Sequence, residues 1–112
     1  MAHYLFQAAY TPQAWATLIK NPHDRIEIVR PVLRKLGGDI EVSYLAFGDY
    51  DVVGIINVPS NVEAAAFSLA ATAGGAIKAL KTTPLMTIEE GIAAMKKAAA
   101  AGYAPPAAPA SV

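Results

Sequence analysis

Two carboxylates flank a phenol in the segment Gly48-Asp49-Tyr50-Asp51. A carboxylate beside a phenol can orient a substrate, or take its proton if burial raises the carboxylate pKa. The same aspartates have a plainer use in a turn, where their side chains bond nearby backbone N–H groups. His3 is a further proton-transfer candidate, so Tyr50, Asp51 and His3 form the catalytic short list. No nucleophile is paired with a base, and no glycine loop has the spacing of a phosphate cradle. His3 and His23 are too scattered to supply the three or four convergent ligands of a metal site. Cysteine is absent, which removes disulfides, thiolate metal sites and thiol catalysis. No metal and no cofactor is expected.

A second group of residues suits binding rather than reaction. The aromatics Tyr4, Phe6, Tyr10, Trp15, Tyr44, Phe47 and Phe67 are sufficient to line an apolar pocket between a sheet and its helices, or simply to form its core. The candidate ligand set is Tyr4, Phe6, Tyr44, Asp49, Tyr50, Asp51 and Thr82. Gln7 and Asn57 project from strands and serve a ligand or a subunit contact equally well. Arg25, Arg30, Arg34 and Lys35 make a basic helix edge, suited to a carboxylate-bearing ligand or to a solvated face.

The elements that must position these residues are punctuated by glycine pairs. His3 to Tyr10 alternates, with Tyr4, Phe6, Ala8 and Tyr10 on one face, and reads as a first strand. Thr11-Pro12 reads as N-cap and first helical residue. Asn21-Pro22 repeats that signal, followed by a stripe of Ile26, Val29, Leu33 and Leu36. Pro31 inside that stripe predicts a kink near Glu27 to Arg30. Gly37-Gly38 closes the helix. Ile40 to Phe47 and Asp51 to Val58 then read as an antiparallel hairpin turned at Gly48-Asp49.

Ser60 and Glu63 have capping-box spacing and open a helix whose expected inner face is Val62, Ala65, Ala66, Leu69 and Ala73. Gly74-Gly75 ends it. Ala76 to Thr83 reads as a fourth strand stopped by Pro84. Thr87 and Glu90 form another box, opening a final helix with Ile88, Ile92, Met95 and Ala99 in a stripe. The expected organisation is one domain over residues 1–100 and a flexible Ala/Pro-rich tail over 101–112.

This order is the split βαβ arrangement of α+β ferredoxin-like domains, a four-stranded antiparallel sheet with helices on one face and an added C-terminal helix. The third strand is apolar on both sides, with Val52, Ile56 and Val58 opposed to Val53 and Ile55. Two helices cover one face of such a sheet. A second copy of the chain is the economical cover for the other, and the C-terminal helix of the same chain is the rival cover.

Composition narrows the partners. Nine Lys and Arg balance nine Asp and Glu, so no cationic excess exists to displace counterions from a nucleic acid. Charged residues make up 16% of the chain, below the roughly 25% of an average soluble domain, which points to an apolar interface. The alanine-rich stretch from Ala64 to Leu80 is split by Gly74-Gly75 and makes a poor membrane span. With no secretory signal at Met1-Ala2-His3-Tyr4, the expected location is cytoplasmic.

At Gly48-Asp49-Tyr50-Asp51-Val52-Val53 the chain resembles the GYD domain family, marked by Gly, a variable residue, then Tyr-Asp before an apolar strand. The likeness extends to Tyr4-Leu5-Phe6-Gln7, Tyr10-Thr11, Leu36-Gly37-Gly38, Lys81-Thr82-Thr83-Pro84-Leu85-Met86-Thr87 and Glu89-Glu90, over roughly residues 4 to 97. The resemblance implies a bacterial or archaeal domain of the dimeric α/β-barrel type, in a family without a settled biochemical role. Three functions remain open: binding of a small apolar or aromatic ligand, a cofactor-independent oxygenase, isomerase or lyase using a Tyr/Asp pair, and a purely structural assembly module. All three have the chain itself as partner in a homodimer or larger homo-oligomer.

Overall fold

The computed structural model describes residues 1–107. Its elements run β1 (Ala2–Tyr10), α1 (Pro12–Lys20), α2 (Arg25–Lys35), β2 (Asp39–Leu45), β3 (Val52–Val58), α3 (Asn61–Ala73), β4 (Ile77–Leu85) and α4 (Ile88–Ala100). The strands form one antiparallel sheet in the order β2-β3-β1-β4, an α+β ferredoxin-like arrangement with β1 and β3 at the centre. Tyr4 lies opposite Ile56, Phe6 opposite Gly54 and Ala8 opposite Val52, so the faces of β1 and β3 match as the alternation requires. One face carries α2 and α3. Its core joins Tyr4, Leu33, Ile56, Val58, Ala64 and Phe67, with Phe6 and Val29 packed against them.

Local chemistry fixes the ends of the elements. Thr11 accepts from the Ala14 N–H and Pro12 starts α1. Gly37, at φ 85°, closes α2, and Gly38 lies so close to β3 that a Cβ there would stand 1.9 Å from the Asn57 carbonyl oxygen. Thr87 and Glu90 exchange both bonds of a capping box, at 2.9 and 3.0 Å.

Three local expectations change. α2 starts at Arg25 rather than after Asn21, because Asp24 caps it through the Ile26 and Glu27 N–H groups, while Asn21 closes α1 on the Thr17 carbonyl. Pro31 lies inside the α2 span. β4 continues through Pro84 to Leu85, since it is an edge strand where a missing N–H can face outward.

The inner face of α3 is Ala64, Phe67 and Ala71, leaving Val62 and Leu69 more than 70% exposed. α3 is apolar nearly all round, so periodicity gives it no direction. The Phe67 ring, packed 5.4 Å from Phe6 between centroids, supplies one.

α4 does not cover the second sheet face. Every residue of α4 except Gly91 is exposed, and its stripe of Ile88, Ile92 and Met95 is 82%, 46% and 70% exposed. Of the expected tail, residues 101–102 form a turn, 103–107 have no regular structure, and 108–112 lie outside the described residues. Among the described residues no helix is long and apolar enough to cross a membrane.

Candidate functional site

Between the sheet and the two covering helices lies a cavity of about 210 Å³. Phe6, Ala8, Val52, Gly54 and Ile56 form its floor, Val29 and Leu33 of α2 one wall, and Phe67, Ala70 and Ala71 of α3 the other. Small residues account for the space: Ala8, Gly54, Ala70, Ala71 and Gly74 stand where larger side chains would meet in the middle. A Cβ on Gly54 would come within 2.7 Å of the Val42 carbonyl oxygen, so close approach of β2 keeps that position bare. A second, more open cavity of about 570 Å³ lies beside α1, lined by Trp15, Leu18, Ile19, His23 and Tyr44. Tyr10, Arg25 and Ser43 belong to both linings.

The Gly48-Asp49-Tyr50-Asp51 turn precedes Val52, which lines both cavities, and its last residue has a mechanical role. One Asp51 carboxylate oxygen accepts from the Tyr10 backbone N–H at 2.8 Å and from the Trp15 indole Nε1–H at 3.2 Å. The Asp51 N–H donates to the Ala8 carbonyl and its own carbonyl accepts from Ala46 N–H, both at 2.8 Å. A single residue therefore fastens the hairpin, the end of β1 and α1. Trp15 in turn stands edge-on to Tyr10, with centroids 5.3 Å apart. Burial pushes the Tyr10 phenol pKa up, while Arg25 pulls it down and Asp51 adds a smaller upward push.

The GYD domain model matches residues 4–95, most of the chain. The chain belongs to the GYD domain family. No curated protein and no solved structure matches it. In this GYD domain the Gly48 to Asp51 turn fastens the hairpin to β1 and α1 through Asp51, with Gly48 at φ 143° in a conformation that side chains rarely adopt.

The residues singled out from sequence fall in separate places. Phe6 lines the inner cavity and Tyr44 the outer one. Tyr4 is buried, and its hydroxyl donates to the Asn61 side chain at the start of α3. Thr82 exchanges a 3.0 Å hydrogen bond with Ser68 beneath α3. Asp49 is exposed and Tyr50 half-buried on the turn, and neither, nor Asp51, lines either of these two cavities. His3 stands on the opposite, open sheet face, where its Nδ1 lies 2.6 Å from Glu41, which also accepts from Asn57 at 3.2 Å. That cluster joins three strands, and its residues line neither of the two cavities. No three His, Asp or Glu side chains among the described residues are arranged to hold a metal ion.

Sequence reasoning did not assemble Tyr10, Arg25, Ser43 and Ala71 as one site. Arg25 appears in it as part of a basic edge, yet Arg30 and Arg34 of that edge are bound to carboxylates: Arg30 to Glu27 at 2.9 Å and Asp39 at 2.6 Å, Arg34 to Asp39 at 3.4 Å. These contacts hold the Asp39 carboxyl below its usual range, first through the Ile40 N–H and then through Arg30. A signal was present in the alanine content of α3, whose small side chains leave room above the sheet.

Proposed function

We propose that this GYD domain binds a small apolar or aromatic molecule in the cavity between the sheet and α2 and α3. The cavity itself carries the reading. Protein interiors are packed to the density of organic crystals, and a void of about 210 Å³ lined by Phe6, Leu33, Ile56 and Phe67 forfeits contacts that a ligand restores. Such a lining stays dry, so an apolar guest displaces little bound water. Its size lies below the ~300 Å³ at the lower end of drug-sized pockets, which favours a single ring or a medium-length chain. The test is a thermal-shift and calorimetric titration with indole and with octanol, on the parent chain and on Ala71→Leu. Leucine keeps the helix and fills the space. Binding by the parent and none by the variant is the expected result; equal binding by both defeats the reading.

The domain also acts as a homo-oligomer, and a specific observation favours this: two apolar surfaces are left uncovered. Leu5, Val53 and Ile55 lie side by side on the open face of β1 and β3, bordered by Val42, Tyr44 and Leu85, which are 38%, 67% and 39% exposed. The α4 stripe is the other. A second copy covers such a face at a gain of roughly 25 cal/mol per Å² of apolar area. Sedimentation should give a dimer or larger assembly for the parent and a monomer for Ile55→Lys; a dilute parent sample that sediments as a folded monomer defeats this part.

A further inference from the structure

The inner cavity is almost wholly apolar, and its exceptions are gathered at one point. Of its lining residues, Tyr10, Arg25 and Ser43 alone carry polar side chains, and these are the polar residues it shares with the outer cavity. A guest that fills the inner space and owns one polar group has a single place to put it, the junction between the two chambers.

The junction specifies the charge of that group. Arginine donates hydrogen bonds and accepts none, and its fork matches a carboxylate. Arg25 has no ion-pair partner among the described residues, in contrast to Arg30 and Arg34. Tyr10 is 7% exposed. Its phenol is protonated at neutral pH and able to donate, and its hydroxyl makes no hydrogen bond to a described residue. Ser43 adds a second hydroxyl. The nearby carboxylates are engaged elsewhere: Asp24 caps α2, and Asp51 holds the Tyr10 N–H and the Trp15 indole. The outer cavity also contains His23, whose ring nitrogen is bonded to the Asn21 carbonyl.

We propose that the ligand is an amphiphilic carboxylic acid, its hydrocarbon or aryl body in the inner cavity and its carboxylate held at the junction by Arg25, with Tyr10 and Ser43 donating. This rests on the cavity being the ligand site, and it adds the chemical class of the guest and the residue that selects it. Octanoate and octanamide share one body and differ in charge, so they separate the two ideas.

Calorimetric titration of the full chain should show octanoate bound at least about tenfold more tightly than octanamide, the increment of a charge-assisted pair. Arg25→Gln, at an exposed position, should lower octanoate affinity about tenfold and leave octanamide within about twofold. Tyr10→Phe should cost octanoate a few-fold, and Ala71→Leu should abolish binding of both. If Arg25→Gln binds octanoate as the parent does while Ala71→Leu binds nothing, the cavity stands and the carboxylate anchor is overturned. If Ala71→Leu binds both compounds as the parent does, or the parent binds neither, the cavity reading falls and the anchor with it. Circular dichroism of each variant separates lost binding from lost fold.

Discussion

The turn at Gly48 to Asp51 and the cavity under α2 and α3 differ in how they announce themselves. The turn concentrates the residues that invite a chemical reading, yet Asp51 spends its carboxylate on the Tyr10 N–H and the Trp15 indole. The cavity is built from residues that invite none, Ala8, Gly54, Ala70 and Ala71, and it is where space for a guest exists. A carboxylate whose oxygen already holds structural donors has a packing role that its residue type alone does not reveal. Small side chains are informative when the layers around them cannot close the gap.

Asp51→Ala should produce the largest effect that separates these regions. It strands two N–H donors and removes the fastening between β1, α1 and the hairpin, at a cost of about 2–3 kcal/mol in denaturant unfolding. Ligand affinity of the protein that remains folded should change little, because Asp51 does not line either cavity. A stable Asp51→Ala protein with abolished binding would move the functional centre to the turn.

A smaller effect is expected at alkaline pH. The Tyr10 phenol has its pKa raised on folding, so its contribution to stability is complete below its ordinary value of 10.0 and is lost as pH climbs beyond it. Tyr10→Phe should blunt that part of the alkaline loss in a pH series of thermal melts. An unchanged alkaline profile would deny the burial assigned to this ring.

The smallest effect belongs to α4, whose cap acts without tertiary packing. Glu90 is held below its ordinary 4.5, chiefly by the Thr87 N–H and then by the Thr87 hydroxyl, so its stabilising contribution is present above pH 4.5 and lost as pH falls through the folded value. Helical circular dichroism should decline slightly below pH 4.5, and Glu90→Gln should remove the pH dependence of that decline. Glu63, likewise held down by the Ser60 hydroxyl, contributes in the same direction on α3.

The strand order, the central pair β1 and β3, and the caps at Thr11 and Thr87 were legible because each has a local cause: alternation, a fixed proline φ, or a side chain reaching back to free N–H groups. The direction of α3 was not, because Val62, Ala65, Ala66 and Leu69 give as good a stripe as Ala64, Phe67 and Ala71 until Phe6 is in place to receive Phe67. The start of α2 was misread because Asn21-Pro22 and Asp24 are both acceptable opening signals, and the geometry of the α1 end decides between them. The cavity was invisible for a similar reason. It depends on how far apart α2 and α3 stand, and no run of residues encodes that distance locally.

The position of a bound carboxylic acid decides between the cavity and the turn. In a methyl and amide NMR titration with octanoate, shifts should cluster on Ala8, Val29, Leu33, Phe67 and Ala71, with Arg25 and Tyr10 at the polar end. Shifts confined to Asp49, Tyr50 and His3, leaving the cavity methyls unmoved, would contradict the cavity reading.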